Sequence, residues 1–99
     1  MNNYAPKSFV VKDNQSLNTT HMWSQEGDKW LYASFRFSDF SEAFAFVTRV
    51  AMLAERHQHH PTIKNTYNNV ELWLSTHDAG HIVTAKDTLL AEAITKLIN

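Results

Sequence analysis

The run from Asp39 to about Gln58 carries two apolar stripes side by side, and that pattern leaves few options for the rest of the chain. Phe40, Phe44, Val47, Ala51 and Ala54 recur at 4-3-4-3 spacing, and Ala43, Phe46, Val50 and Leu53 form a second row beside them. Such spacing is the signature of one long amphipathic helix. Asp39 is placed to cap its start, with Glu42 three residues on to complete a capping box. Pro61 disfavours helical backbone at the residue before it, so His59 and His60 are expected just past the helix end. An arc this wide calls for cover on two sides, a sheet on one and a further surface on the other. A second subunit is a candidate for that second cover.

Strand patterns flank the helix. His21 to Phe37 reads as a hairpin: Met22-Trp23-Ser24 is one arm, Gln25-Glu26-Gly27-Asp28 the turn, and Gly27 supplies the positive φ a tight turn needs. In the second arm Leu31, Ala33, Phe35 and Phe37 alternate with Trp30, Tyr32, Ser34 and Arg36, so the first set suits a core. Tyr67 to Thr76 reads as another strand, with Val70, Leu72 and Leu74 on one face and Asn69, Glu71, Trp73 and Ser75 on the other. His77-Asp78-Ala79-Gly80 is a turn. A last helix is expected from near Thr84, with Asp87 three residues on in a capping-box pattern and Leu90, Ala93, Ile94, Leu97 and Ile98 as its apolar stripe. In residues 1–20, Phe9, Val10 and Val11 fit a short strand or an extended arm, Asp13 to Ser16 a turn, and the Asn, Ser and Thr content argues against helix. The expected fold class is α+β: an antiparallel sheet of about four strands with helices packed on one face. Residues 1–20 form an atypical N-terminal segment and residues 21–99 a single domain.

Composition narrows the function. The chain of 99 residues has 43% apolar and 19% charged residues, the balance of one small globular domain. A net charge of −1 gives no basic footprint for direct nucleic-acid binding. No apolar run approaches a membrane span, and the start of the chain lacks the apolar stretch of a signal peptide. The absence of cysteine excludes thiol catalysis and cysteine-based metal sites and fits a cytoplasmic protein. No glycine-rich phosphate loop and no Gly-x-Ser-x-Gly elbow is present.

What remains is histidine. His57, His59 and His60 lie at the expected helix end, and His77 follows Ser75 and Thr76 at a strand end. If these two ends lie side by side, His59, His60 and His77 meet in one pocket with Glu55 and Asp78 close by. Imidazoles exchange protons near neutral pH, so such a cluster points to acid–base chemistry. A metal site is the rival reading, but no helical His-x-x-x-His pair or two-histidine-plus-carboxylate spacing supports it. Trp23, Trp30 and Trp73 are most simply core or interface aromatics.

The run Phe35 to Phe40, then Ala43 to Phe46, Glu55, His59-His60-Pro61, Tyr67, Ser75-Thr76-His77-Asp78 and Asp87 resembles the pterin-4a-carbinolamine dehydratases over about residues 21–98. The resemblance implies a hydro-lyase that dehydrates 4a-hydroxytetrahydrobiopterin-type pterins to the quinonoid dihydropterin, with no metal and no organic cofactor. It implies a small α+β domain that forms a homodimer or homotetramer partly through its long helix. His59, His60 and His77 match the family's active-site histidines. Glu55 and Gln58 match pocket positions, and Ser75, Thr76 and Asp78 the substrate-binding strand end. Trp23 matches a pocket-edge tryptophan, and Asp87 the acidic residue at the last helix. Three features depart from the family pattern. Gln58 stands where an acid often precedes the histidine pair, the turn Gly80–Thr84 is one residue longer, and residues 1–20 do not resemble the usual leading helix. A non-catalytic pterin- or protein-binding module of the same fold is the alternative.

Overall fold

A computed structural model describes residues 22–98. Its elements run β1 (Ser24–Glu26), β2 (Trp30–Arg36), α1 (Phe40–His57), β3 (Thr62–Thr66), β4 (Asn69–Leu74), a single 3₁₀ turn (His77–Ala79) and α2 (Ala85–Lys96). The sheet order is β1-β2-β4-β3, and each neighbouring pair is antiparallel. Both helices lie on one face, where their apolar rows meet the inward residues of the two central strands. The α+β class read from the sequence holds.

Alternation along the central strands decides which face is buried. Ala33, Phe35 and Phe37 point inward with Val70, Leu72 and Leu74, all but inaccessible. Phe35 and Phe37 each stack at a tilt on Phe46 of α1, with ring centroids 5.0 Å apart. Leu90, Ala91 and Ile94 of α2 complete the core. Burial of each large apolar side chain contributes about 1.5–3 kcal/mol, so these pairings hold the helices at fixed positions over the sheet.

The structure corrects the sequence reading in four places. The first hairpin arm is Ser24–Glu26, and the turn follows at residues 27–29, with Gly27 at φ 65° as expected. The strand expected over Tyr67–Thr76 is shorter, Asn69–Leu74. Ahead of it lies β3, an edge strand the sequence reading left out, whose Lys64 pairs across the ladder with Glu71. The apolar stripes of α1 also differ in fate. Ala43, Phe46 and Val50 of the second stripe are buried, whereas in the first stripe Ala54 is buried but Phe40 and Phe44 are half exposed, at 50% and 51%. The readings made for residues 1–20 lie outside the described residues.

Helix ends follow the expected chemistry. Asp39 caps α1 by accepting from the Glu42 amide at 2.9 Å. Glu42 reaches back one residue further than a simple capping box, accepting from the Ser38 amide and hydroxyl at 3.1 and 2.7 Å. At the other end Gln58 takes the left-handed conformation (φ 51°, ψ 45°). The Gln58 amide donates to Glu55 O at 3.2 Å and the His59 amide to Ala54 O at 3.0 Å, the two bonds of a Schellman motif. This reversal points the chain back toward the sheet at His59.

Candidate active site

Three element ends converge at one end of the sheet: the C-terminus of α1, the C-terminus of β4 and the first turn of α2. Between them lies a cleft of about 250 Å³ lined by Gln58, His59, His60, Ser75, Thr76, His77, Asp78 and Lys86. The structure therefore brings together seven of the residues singled out in the sequence.

His59 is the anchored member. Only 8% exposed, it meets Asp87 through Nε2 at 2.5 Å, and Asp87 is wholly buried. The other oxygen of Asp87 accepts from the Thr76 hydroxyl at 2.6 Å and the Thr84 amide at 2.8 Å. A carboxylate that already accepts these bonds leaves Nε2–H of His59 as the donor. Because the Thr76 hydroxyl donates to Asp87, it must accept from Thr84 Oγ1, 2.6 Å away. Thr84 Oγ1 in turn accepts from the Lys86 amide at 3.3 Å. One directed chain of hydrogen bonds thus runs from the first turn of α2 through two threonines to the carboxylate that orients His59. Asp87 is also the third residue of α2 and closes the capping box with Thr84. It is both helix-start residue and imidazole anchor.

His60 sits on the other side of the chain. Its Nε2 donates to Glu55 Oε2 at 2.7 Å, and both side chains are largely exposed, at 62% and 79%. Glu55 does not line the cleft; it reaches the site through His60. His77 opens the 3₁₀ turn, and its ring meets that of His81 edge-on, with centroids 4.5 Å apart. His81 holds a left-handed backbone, φ 61°, a conformation costly for most side chains but less so for His. Ser75 Oγ is buried against the cleft without a protein hydrogen-bond partner. A buried hydroxyl left unpaired is unfavourable by about 1–3 kcal/mol, which a ligand bond at that atom would offset.

Trp23 is not in the cleft. Its ring packs edge-on against Phe35, and its Nε1–H donates to Thr95 Oγ1 at 2.9 Å, so both its apolar and polar ends are spent in the core. Lys86 is a lining residue the sequence reading missed. The available signal was a cation in the first turn of α2, where the helix dipole disfavours positive charge. Among the described residues no three His, Asp or Glu side chains are grouped to hold a metal ion, and no helix is long and apolar enough to cross a membrane.

A buried carboxylate, a chain of hydroxyls and three imidazoles thus meet at one cleft of a two-layer α+β domain, groups of the kind that exchange protons near neutral pH. The family profile "Pterin 4 alpha carbinolamine dehydratase" matches residues 11–97. A protein of Nitrobacter winogradskyi, named provisionally as a pterin-4-alpha-carbinolamine dehydratase, is 49% identical over 82 residues, which span 82% of this chain and 80% of that one. A Rhodopseudomonas palustris protein with the same provisional name is 52% identical over 73 residues, 73% of this chain and 71% of its own. Among solved structures, a transcriptional coactivator/pterin dehydratase from Brucella melitensis superposes with a TM-score of 0.75 at 34% identity, covering 87% of this chain and 92% of that chain. A pterin dehydratase-like protein described as a RuBisCO assembly factor in the alpha-carboxysome shares the fold, with a TM-score of 0.67 at 23% identity over 83% of this chain and 95% of its own. The chain belongs to the pterin-4a-carbinolamine dehydratase family.

Proposed function

We propose that this protein is a 4a-hydroxytetrahydrobiopterin dehydratase, removing water from a pterin 4a-carbinolamine by acid–base elimination in tetrahydrobiopterin recycling. The observation that carries this reading is the cleft itself, where His59, His60 and His77 surround one space and a buried carboxylate fixes the first of them. In the reaction the 4a-hydroxyl gains a proton and leaves as water. The N5 proton departs to a base, and its bonding pair becomes the N5–C4a double bond of the quinonoid dihydropterin. His59 and His77 share the acid and base roles. Asp87 holds Nε2 of His59, so exchange with substrate runs through Nδ1. A carboxylate behind an imidazole also stabilises the imidazolium as it forms. His60, steadied by Glu55, polarises the leaving hydroxyl. Ser75, Gln58, Asp78 and Lys86 hold the pterin ring, while Thr76 and Asp87 act through His59 as positioning residues. On this reading the enzyme works in the cytoplasm on a small-molecule pterin, without metal or organic cofactor.

The test is stopped-flow dehydration of a 4a-hydroxytetrahydropterin by wild type, His59→Ala and His77→Ala. Each variant is expected to keep its circular dichroism and lose at least tenfold in kcat, the low end of what a positioned acid or base supplies. Full activity in a variant removes that histidine from the mechanism. No acceleration by folded wild type selects the alternative, a non-catalytic pterin- or protein-binding module, a role compatible with the fold given the carboxysome neighbour.

The same reading includes self-association through α1. Phe40, Phe44 and Met52 are exposed apolar side chains of α1, with Met52 64% exposed and the two rings 5.7 Å apart. Exposed apolar patches of this kind mark protein contacts. Light scattering is expected to find a dimer or tetramer that Phe44→Lys converts toward monomer; a monomeric wild type refutes the interface.

A further inference from the structure

The outer face of the sheet, turned away from both helices, carries a second cavity that the dehydration site does not use. It measures about 320 Å³ and is lined by one residue from each strand: Glu26 of β1, Trp30 of β2, Trp73 of β4 and Thr62 of β3. Cross-strand pairing sets this arrangement, since Glu26 stands opposite Trp30 and Trp73 opposite Thr62. Both indoles are half-buried and so hold their positions while keeping surface for a ligand. Tyr32, opposite Trp73 on its other side, braces that indole with centroids 5.2 Å apart.

Two carboxylates, Glu26 and Glu71, lie on this face near the groove, with Lys64 opposite Glu71 in the register and Arg36 at the far end of β2. Tyr32 donates its hydroxyl to Glu71 Oε2 at 2.7 Å, and that bond, followed by burial and by the charges of Glu71 and Glu26, pushes its ionisation above the ordinary tyrosine range. Glu71 is partly answered by Lys64 at 3.9 Å. Glu26 enters no ion pair with the described residues. The groove is therefore lined by two indoles, whose ring faces carry a negative quadrupole, beside a carboxylate that enters no ion pair with the described residues.

We propose that this groove binds a small quaternary ammonium compound. A guanidinium or primary ammonium brings three to five N–H donors, and the lining offers only the Glu26 carboxylate and the Thr62 hydroxyl as side-chain acceptors. A quaternary ammonium needs no hydrogen bonds and gains from aromatic rings and a nearby carboxylate, and the groove is lined by two indoles and Glu26. The volume suits a molecule of choline size. None of the four lining residues belongs to the histidine cleft, so the inference stands apart from the proposed activity.

The chain's three tryptophans allow a direct test by NMR of ¹⁵N-labelled indoles, titrated with choline and with its neutral isostere 3,3-dimethyl-1-butanol. The Trp30 and Trp73 indole signals are expected to shift saturably with choline, while Trp23, buried and bonded to Thr95, stays still as internal control. The isostere should bind at least tenfold more weakly, and Glu26→Gln should weaken choline several-fold with the spectrum otherwise intact. No shift at Trp30 and Trp73 up to about 100 mM, beyond the millimolar range of a weak site, overturns the proposal. Equal binding of the isostere overturns it too, since the groove would then select shape and not charge.

Discussion

His59 and His60 are neighbours in the chain, each bonded through Nε2 to a carboxylate, and they occupy opposite environments. The His59–Asp87 pair is buried, with side chains 9% and 0% exposed, and two further donors satisfy the carboxylate. The His60–Glu55 pair stands in solvent. The difference comes from one backbone event: Gln58 in the left-handed region turns the chain so that one imidazole faces the α2 terminus and the next faces outward. The same two residue types thereby make a fixed element of architecture in one place and an adjustable surface contact in the other. A buried ionic contact is expensive to break because the survivor stays desolvated, whereas an exposed one is replaced by water.

That contrast can be broken by mutation. Asp87→Ala leaves the Thr76 hydroxyl, the Thr84 amide and His59 without their acceptor, and a loss of about 3–5 kcal/mol is expected, a large share of the stability of a small domain. The urea midpoint, read at unchanged slope, measures it. Asp87→Asn retains one acceptor oxygen and should lie between. A loss under about 1 kcal/mol for Asp87→Ala would place the pair among surface contacts. Glu55→Gln is expected to change stability by no more than about 0.5 kcal/mol, with any difference fading as salt is raised. A loss matching that of Asp87→Ala, or one insensitive to salt, would erase the distinction between the two pairs.

Legibility in the sequence followed the strength of local signals. The wide apolar arc of α1, the alternation of β2 and β4 and the Thr84 to Asp87 start of α2 are each visible, because burial on one face writes a period into the chain. β3 was not visible because Thr62-Ile63-Lys64-Asn65-Thr66 contains a single apolar residue, as an edge strand with one wet side can. The turn behind it carries its positive φ on Tyr67, not on Gly or Asn, so no turn signature marked the boundary. At the site, the histidines were legible as an ordered set. The division of labour was not, since the burial of Asp87 and its bond to His59 span 28 positions and depend on how α2 docks. Trp23 is a core aromatic, as its residue type suggests, while the pocket-edge position implied by the resemblance gives way to its bond with Thr95, 72 positions away.

Asp87 ties two clocks together. Its carboxylate secures the first turn of α2 and orients the His59 ring at the same time. Opening of that turn therefore releases the imidazole in the same step. The fraction of molecules with the His59 ring held in place then follows the fraction with the α2 start closed. Amide exchange at Thr84 and Asp87 is then a reading of how often the site is whole.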